Sequence, residues 1–165
     1  MTHVYWSWRN LLLSTPTLWT RIDSSAYKSK QVESFLGRSE GQLLDIFKFF
    51  ERGEHMEPFL SITLRNTRLQ RLKIVSFLRH LDHVLVRSTR PALELKHLDI
   101  GNEHDITEKD MRLPGTIFDG QLPKLTSLTL CHLHMDLRGS NLPSLTRFSF
   151  RTGTKISFGN LTQFF

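Results

Sequence analysis

The sequence predicts an α/β fold, an irregular solenoid with parallel strands on one side and helices and loops on the convex side, and three observations predict it. First, a phrase with apolar residues at positions one, four and six returns four times: Leu69, Leu72 and Ile74; Leu95, Leu98 and Ile100; Leu125, Leu128 and Leu130; Leu145, Phe148 and Phe150. Second, measured from the second apolar position, the copies lie 26, 30 and 20 residues apart (72 to 98 to 128 to 148). Such spacers leave room for a crossover that returns each strand parallel to the last. Third, 165 residues that are 39% hydrophobic and 23% charged suffice for one domain with a core and sit well away from the composition of disordered chains.

Taken in order, Val4, Trp8, Leu11 and Leu12 fall at helical spacing and predict a first helix over residues 3–13. Ser14-Thr15-Pro16 stops it, because the residue before a proline is pushed out of the helical region. Trp19 and Ile22 point to a short extended piece. A second helix has Ser29 as N-cap, carries Val32, Phe35 and Leu36 on one face, and ends at Gly41. Leu44-Asp45-Ile46-Phe47-Lys48-Phe49 then alternates as a first strand should. Met56, Phe59, Leu60 and Leu64 return to helical spacing, with Pro58 tolerated near the helix start.

From Leu69 onward the recurring phrase takes over, at irregular steps that span the usual period of leucine-rich repeats and slightly exceed it. Each copy turns its apolar residues inward from a short strand, so that no copy buries its face alone and stacking supplies the core. Phe77, Leu81, Val84 and Leu85 mark a helix covering the convex side after the first copy. The spacer 101–120 holds an acidic run and then Leu113-Pro114-Gly115, which reads as a surface loop. The last two copies share a lead-in, Leu122-Pro123-Lys124-Leu125 and Leu142-Pro143-Ser144-Leu145, whose prolines precede the pairing residues.

Twenty-two Lys and Arg against sixteen Asp and Glu give a formal charge of +6, which favours acidic partners at long range. The basic residues are scattered and no nucleic-acid-binding module accompanies them, so nucleic acid is the minor alternative. One cysteine, Cys131, excludes an internal disulfide framework and fits a reducing compartment, cytoplasmic or nuclear. The first twenty residues offer only the run Leu11 to Leu13 beside Trp6, Trp8 and Arg9, neither a secretory signal nor a membrane span.

Two stretches carry a family likeness: His3-Val4-Tyr5-Trp6-Ser7-Trp8-Arg9-Asn10-Leu11, and Ser14-Thr15-Pro16-Thr17-Leu18-Trp19 ahead of the repeats. Together they resemble the F-box-like leucine-rich-repeat proteins abundant in mushroom-forming fungi. Val4, Trp8, Arg9, Ser14, Pro16, Leu18 and Trp19 match that family's pattern, and Tyr5 stands where cysteine is common. The resemblance implies that residues 1–23 are the C-terminal remnant of an F-box-like module whose opening helix is absent, and that residues 24–165 are the irregular repeat region. It also implies the substrate-recognition arm of a cullin-RING ubiquitin ligase, with Val4, Trp6, Trp8 and Leu12 on the side of a Skp-type adaptor. A chain cut from a longer protein is the expected reading; the alternative is a free-standing interaction protein with a degenerate F-box.

Within the first helix, Trp8 lies on the stripe with Val4 and Leu12 and is expected to pack on the repeats, whereas Trp6 lies off it and is the better partner anchor. The target-binding candidates are the outward residues of the repeat strands, Arg71, Lys73, His97, Asp99, Ser127, Thr129, Arg147, Ser149 and Arg151, which period two places on one concave face. Cys131, His132 and His134, and the pair His80 and His83, have ligand chemistry but no matched half that would complete a four-ligand site, so no metal is expected. No nucleophile sits in a recognisable frame with a base and an orienting group, and there is no phosphate loop or dinucleotide fingerprint. The sequence thus predicts neither an enzyme nor a cofactor.

Overall fold

A computed structural model describes residues 2–51, 59, 67–76, 90–102, 112–113, 117–136, 140–151 and 155–157. The expected helices around Met56 to Leu64 and Phe77 to Leu85 lie outside these residues, apart from Phe59, which is buried. No helix among the described residues is long and apolar enough to cross a membrane.

The first helix, α1 (Thr2–Leu13), starts within a residue of its expected place and ends where expected, and Pro16–Trp19 winds into a short 3-10 turn. Strand β1 (Arg21–Asp23) follows, then helix α2 (Ser29–Arg38). The N-cap of α2 is Lys28 and not Ser29, and the Lys28 backbone N–H donates to Gln31 Oε1 at 3.0 Å. The chain leaves α2 through Glu40 and Gly41, both with positive φ, and enters β2 (Leu44–Phe50).

The four phrases coincide with β3 (Leu69–Ser76), β4 (His97–Asn102), β6 (Ser127–Cys131) and β8 (Arg147–Arg151). All are parallel and each strand pairs with the one before, giving a six-stranded open sheet in the order β1, β2, β3, β4, β6, β8. Sequential order and a single direction follow from spacers long enough to return the chain to the same edge. On the buried face one row runs Ile22, Ile46, Leu72, Leu98, Leu128 and Phe148, and the next Lys48, Ile74, Ile100, Leu130 and Phe150. The rows close well in the middle and open at the last strand, where Phe150 is 62% exposed.

Lys48 is the exception in these rows. It is only 4% exposed at a position its neighbours fill with isoleucine or leucine. Its stem lies in the core, while the ammonium donates to the Ser24 carbonyl at 3.4 Å and sits 4.9 Å from the ring centroid of Phe50. An aliphatic stem with a satisfied charged tip is how a lysine is tolerated in such a place.

The recurrence extends to the turns. Leu95, Leu125 and Leu145 each donate their backbone N–H to the carbonyl three residues back, on Ala92, Leu122 and Leu142, at 3.1, 3.1 and 3.2 Å. Pro123 and Pro143 occupy the second position of these turns, where a fixed φ suits the geometry. Successive turns are fastened to one another: Lys124 pairs with Glu94 at 2.7 Å, and the Ser144 hydroxyl donates to the Pro123 carbonyl at 2.7 Å.

The spacers after β4 correct one expectation. Where a loop was expected between 101 and 120, Arg112–Leu113 forms β5, which pairs in parallel with β7 (His134–Asp136), itself paired with β9 (Lys155–Ser157). These strands are two or three residues long, too short to show an alternating pattern. Between β5 and β6, Phe118, Asp119 and Gly120 have φ of +54°, +59° and +65°. A left-handed backbone costs a residue with a Cβ about 1–2 kcal/mol. The full burial of the Phe118 ring, 1% exposed, contributes about 1.5–3 kcal/mol and offsets the strain there.

Candidate functional site

Period two leaves half of each strand on the other face of the sheet, and parallel register aligns these residues into rows across it. The first row reads Arg21, Asp45, Arg71, His97, Ser127, Arg147. The second reads Asp23, Phe47, Lys73, Asp99, Thr129, Ser149, and the third Phe49, Val75, Gly101, Cys131, Arg151. Eight of the nine target-binding candidates thus lie together on one surface, half-buried or exposed. Arg151 stands opposite Cys131 in the backbone register, and its side chain lies outside the described set.

The repeats did not point to Arg21, Asp23, Asp45 and Phe47, which extend the first two rows onto β1 and β2. For Asp45 and Phe47 the signal was present: they are the outward positions of the alternating stretch Leu44 to Phe49. For Arg21 and Asp23, a three-residue strand gives no readable pattern.

The rows differ electrostatically. In the second, Lys73 pairs with Asp99 at 3.5 Å and lies 5.6 Å from the Phe47 ring centroid, so its charge is largely compensated. In the first, three arginines stand against one carboxylate, and among the described residues Arg71 and Arg147 enter no ion pair. The His97 imidazole is held below its ordinary pKa, first by desolvation and then by Arg71, with Lys96 and Arg147 adding to the effect and Asp45 opposing it.

A stability effect follows from that direction. Below about pH 6.5 the unfolded chain takes up a proton at His97 more readily than the folded one, so stability falls as pH drops toward the folded pKa and levels off beneath it. His97→Gln is expected to lose less stability than the parent between pH 7.5 and 5.5. Urea unfolding midpoints at the two pH values check this, and an equal loss in both proteins would contradict it.

The adaptor-side candidates lie on α1, outside the sheet. Trp6 and Trp8 are 63% and 61% exposed and Leu12 48%, with Tyr5, Leu11 and Leu18 also exposed; Val4 is placed in the helix, with its side chain outside the described set. The expectation that Trp8 packs on the repeats is therefore corrected. Helical spacing shows which residues share a face, not whether a neighbour covers it. Trp19 makes the packing contact instead: its ring lies 5.2 Å from Phe35 and beneath the Arg38 guanidinium at 4.7 Å, and its indole N–H donates to the Leu12 carbonyl at 3.0 Å.

Cys131 is half-buried in the third row, next to His132 in a positive-φ turn, and His134 stands on β7. Among the described residues, no three His, Cys, Asp or Glu side chains gather to hold a metal ion. His80 and His83 lie outside the described residues. Comparison of the chain with family models, with curated proteins and with solved structures returns no match.

Proposed function

We propose that this chain is a protein-recognition module of the leucine-rich-repeat type, serving as the target-binding arm of an F-box-like ubiquitin-ligase receptor. The observation that carries the reading is the solvent-facing side of the six-stranded sheet, where parallel register lines up polar, charged and aromatic side chains in continuous rows. A stacked array offers such an extended surface to a partner. The repeat assignment is supported by the coincidence of all four phrases with β3, β4, β6 and β8, and by the turn that recurs ahead of the last three.

The ligase part rests on the F-box-like likeness of residues 3–19, and the exposed aromatics of α1 support it. Trp6 and Trp8 present the rigid, amphipathic surface that dominates interface energetics. On this reading the chain makes and breaks no bond; it holds a target on the sheet and an adaptor on α1, in the cytoplasm or nucleus.

Proximity labelling in cells by the parent chain and by a Ser127→Trp/Thr129→Trp variant, which obstructs the middle of the face, tests the target side. Proteins labelled by the parent are expected to drop out with the variant; an unchanged labelled set sinks the reading. Retention of a purified Skp-type adaptor, lost in Trp6→Ala/Trp8→Ala, tests the other side. If the adaptor is not retained while labelling still depends on the face, the module is free-standing and has no ligase role.

A further inference from the structure

We propose that the row Arg71, His97, Ser127 and Arg147 seats an extended acidic segment of a protein partner, lying across strands β3, β4, β6 and β8. The inference rests on the reading of the sheet face as a protein-binding surface, and it names the chemistry of what binds there.

Three observations carry it. The first row keeps positive charge that its neighbour does not: in the second row Lys73 pairs with Asp99, whereas Arg71 and Arg147 make no ion pair among the described residues. The surroundings are cationic as well, since Arg71, Lys96 and Arg147 all act on His97, and Asp45 is the acidic group that opposes them there. An uncompensated group of this kind stays hydrated in the free protein and gains charge-assisted hydrogen bonds when carboxylates arrive.

The third observation is spacing. Arg71 and Arg147 are three strands apart in register, which at the interstrand distance is about 14 Å. In an extended peptide, side chains at i and i+4 are also about 14 Å apart and point to the same side. Carboxylates at i and i+4 therefore meet the two guanidinium groups, and one at i+2 falls between His97 and Ser127, where a hydroxyl and an imidazole can donate. A helical partner fits less well, because its i and i+4 positions are only about 6 Å apart.

The test uses the full chain and a fluorescein-labelled peptide with glutamate at three alternate positions and serine between them, followed by anisotropy at low salt. Saturable binding is expected, weakened at least about fivefold by Arg71→Gln or by Arg147→Gln and tenfold or more by the double variant. Lys30→Gln, a remote exposed cation on α2, should leave it unchanged, and so should replacing the peptide's serines with glycine. The altered residues are exposed, and matching melting temperatures confirm that each variant is folded.

Absence of saturable binding, or equal weakening by Lys30→Gln, overturns the proposal. So does tighter binding of an oligothymidylate of equal charge that is lost in the same arginine variants, an outcome that assigns the row to nucleic acid. If the peptide fails to bind while the Ser127→Trp/Thr129→Trp variant still abolishes target labelling, the acidic specificity is wrong and the protein-binding face stands. Failure of both removes the face as well.

Discussion

Leu98→Ala is expected to cost about 3 kcal/mol of folding stability, within the 2–5 kcal/mol typical of truncating a fully buried leucine. Leu98 is 1% exposed, in the middle of the inward row, with Leu72 on one side and Leu128 on the other. The cavity left behind would be shared by three strands whose backbones are tied by ladder hydrogen bonds, so the walls have little freedom to collapse into it. Position in the order adds to the loss. Each strand pairs only with its sequence neighbours in the sheet, and β4 is the link joining β1 to β3 with β6 and β8. Urea unfolding measures the change, and Asp99→Ala is the control. Asp99 is on the same strand but on the open face, in a surface pair with Lys73, so its loss should cost less than about 1 kcal/mol. Similar costs for the two variants would mean that the inward row is not a continuous core.

Arg68→Ala is expected to cost about 2 kcal/mol, with the effect concentrated at α2. One guanidinium nitrogen of Arg68 donates to Ser39 Oγ at 3.2 Å and to the Gln42 carbonyl at 3.1 Å, and the other to the Leu36 carbonyl at 3.4 Å. These acceptors lie at and just beyond the C-terminus of α2, where helix carbonyls have no partner within the helix and the macrodipole favours a cation. A hydrogen bond with a charged partner contributes about 1.5–3 kcal/mol. One arginine thus closes the helix end and fixes it to the start of β3, whose ladder begins with Leu44 N–H donating to the Arg68 carbonyl at 2.8 Å. Hydrogen exchange should show α2 amides losing protection before those of β3 and β4. Arg68→Lys should recover only part of the loss, because a single ammonium cannot span the same acceptors as a planar fork. Uniform loss of protection across the chain would assign Arg68 a general role instead of this local one.

Some physical signals survive in a single chain and others do not. The four strands with the repeating phrase were legible because one buried face imposes period two, and a register slip would turn every leucine into solvent. Leu44 to Phe49 was legible for the same reason, and its alternation sets Lys48 inward with Leu44 and Ile46; what the pattern did not show is the Ser24 carbonyl and the Phe50 ring that receive the ammonium there. The short strands β5, β7 and β9 were not legible, since two or three residues carry no periodicity and their pairing depends on neighbours 20 or so residues away. Trp8 was misplaced because amphipathicity does not reveal a missing neighbour. Of the candidate surface, its location on the strands was readable, but its electrostatic division was not. Lys73 and Asp99 become a pair, and Arg71 and Arg147 remain without one among the described residues, only once register sets residues from distant copies side by side.

The sequential strand order also has a mechanical meaning. A protein whose first and last strands are sheet neighbours must be sheared as a whole, whereas here β1 and β8 are the two outer strands of the six-stranded sheet, and within that sheet strands next to each other in space also follow one another along the chain. Tension applied at the two ends would therefore load one interstrand ladder at a time, peeling the sheet like a zip. A step that frees the 26 residues from Leu72 to Leu98 would release a contour of roughly 90 Å. The molecule is built to lengthen in stages under load, each stage sacrificing one strand's worth of surface and leaving the remaining rows in register.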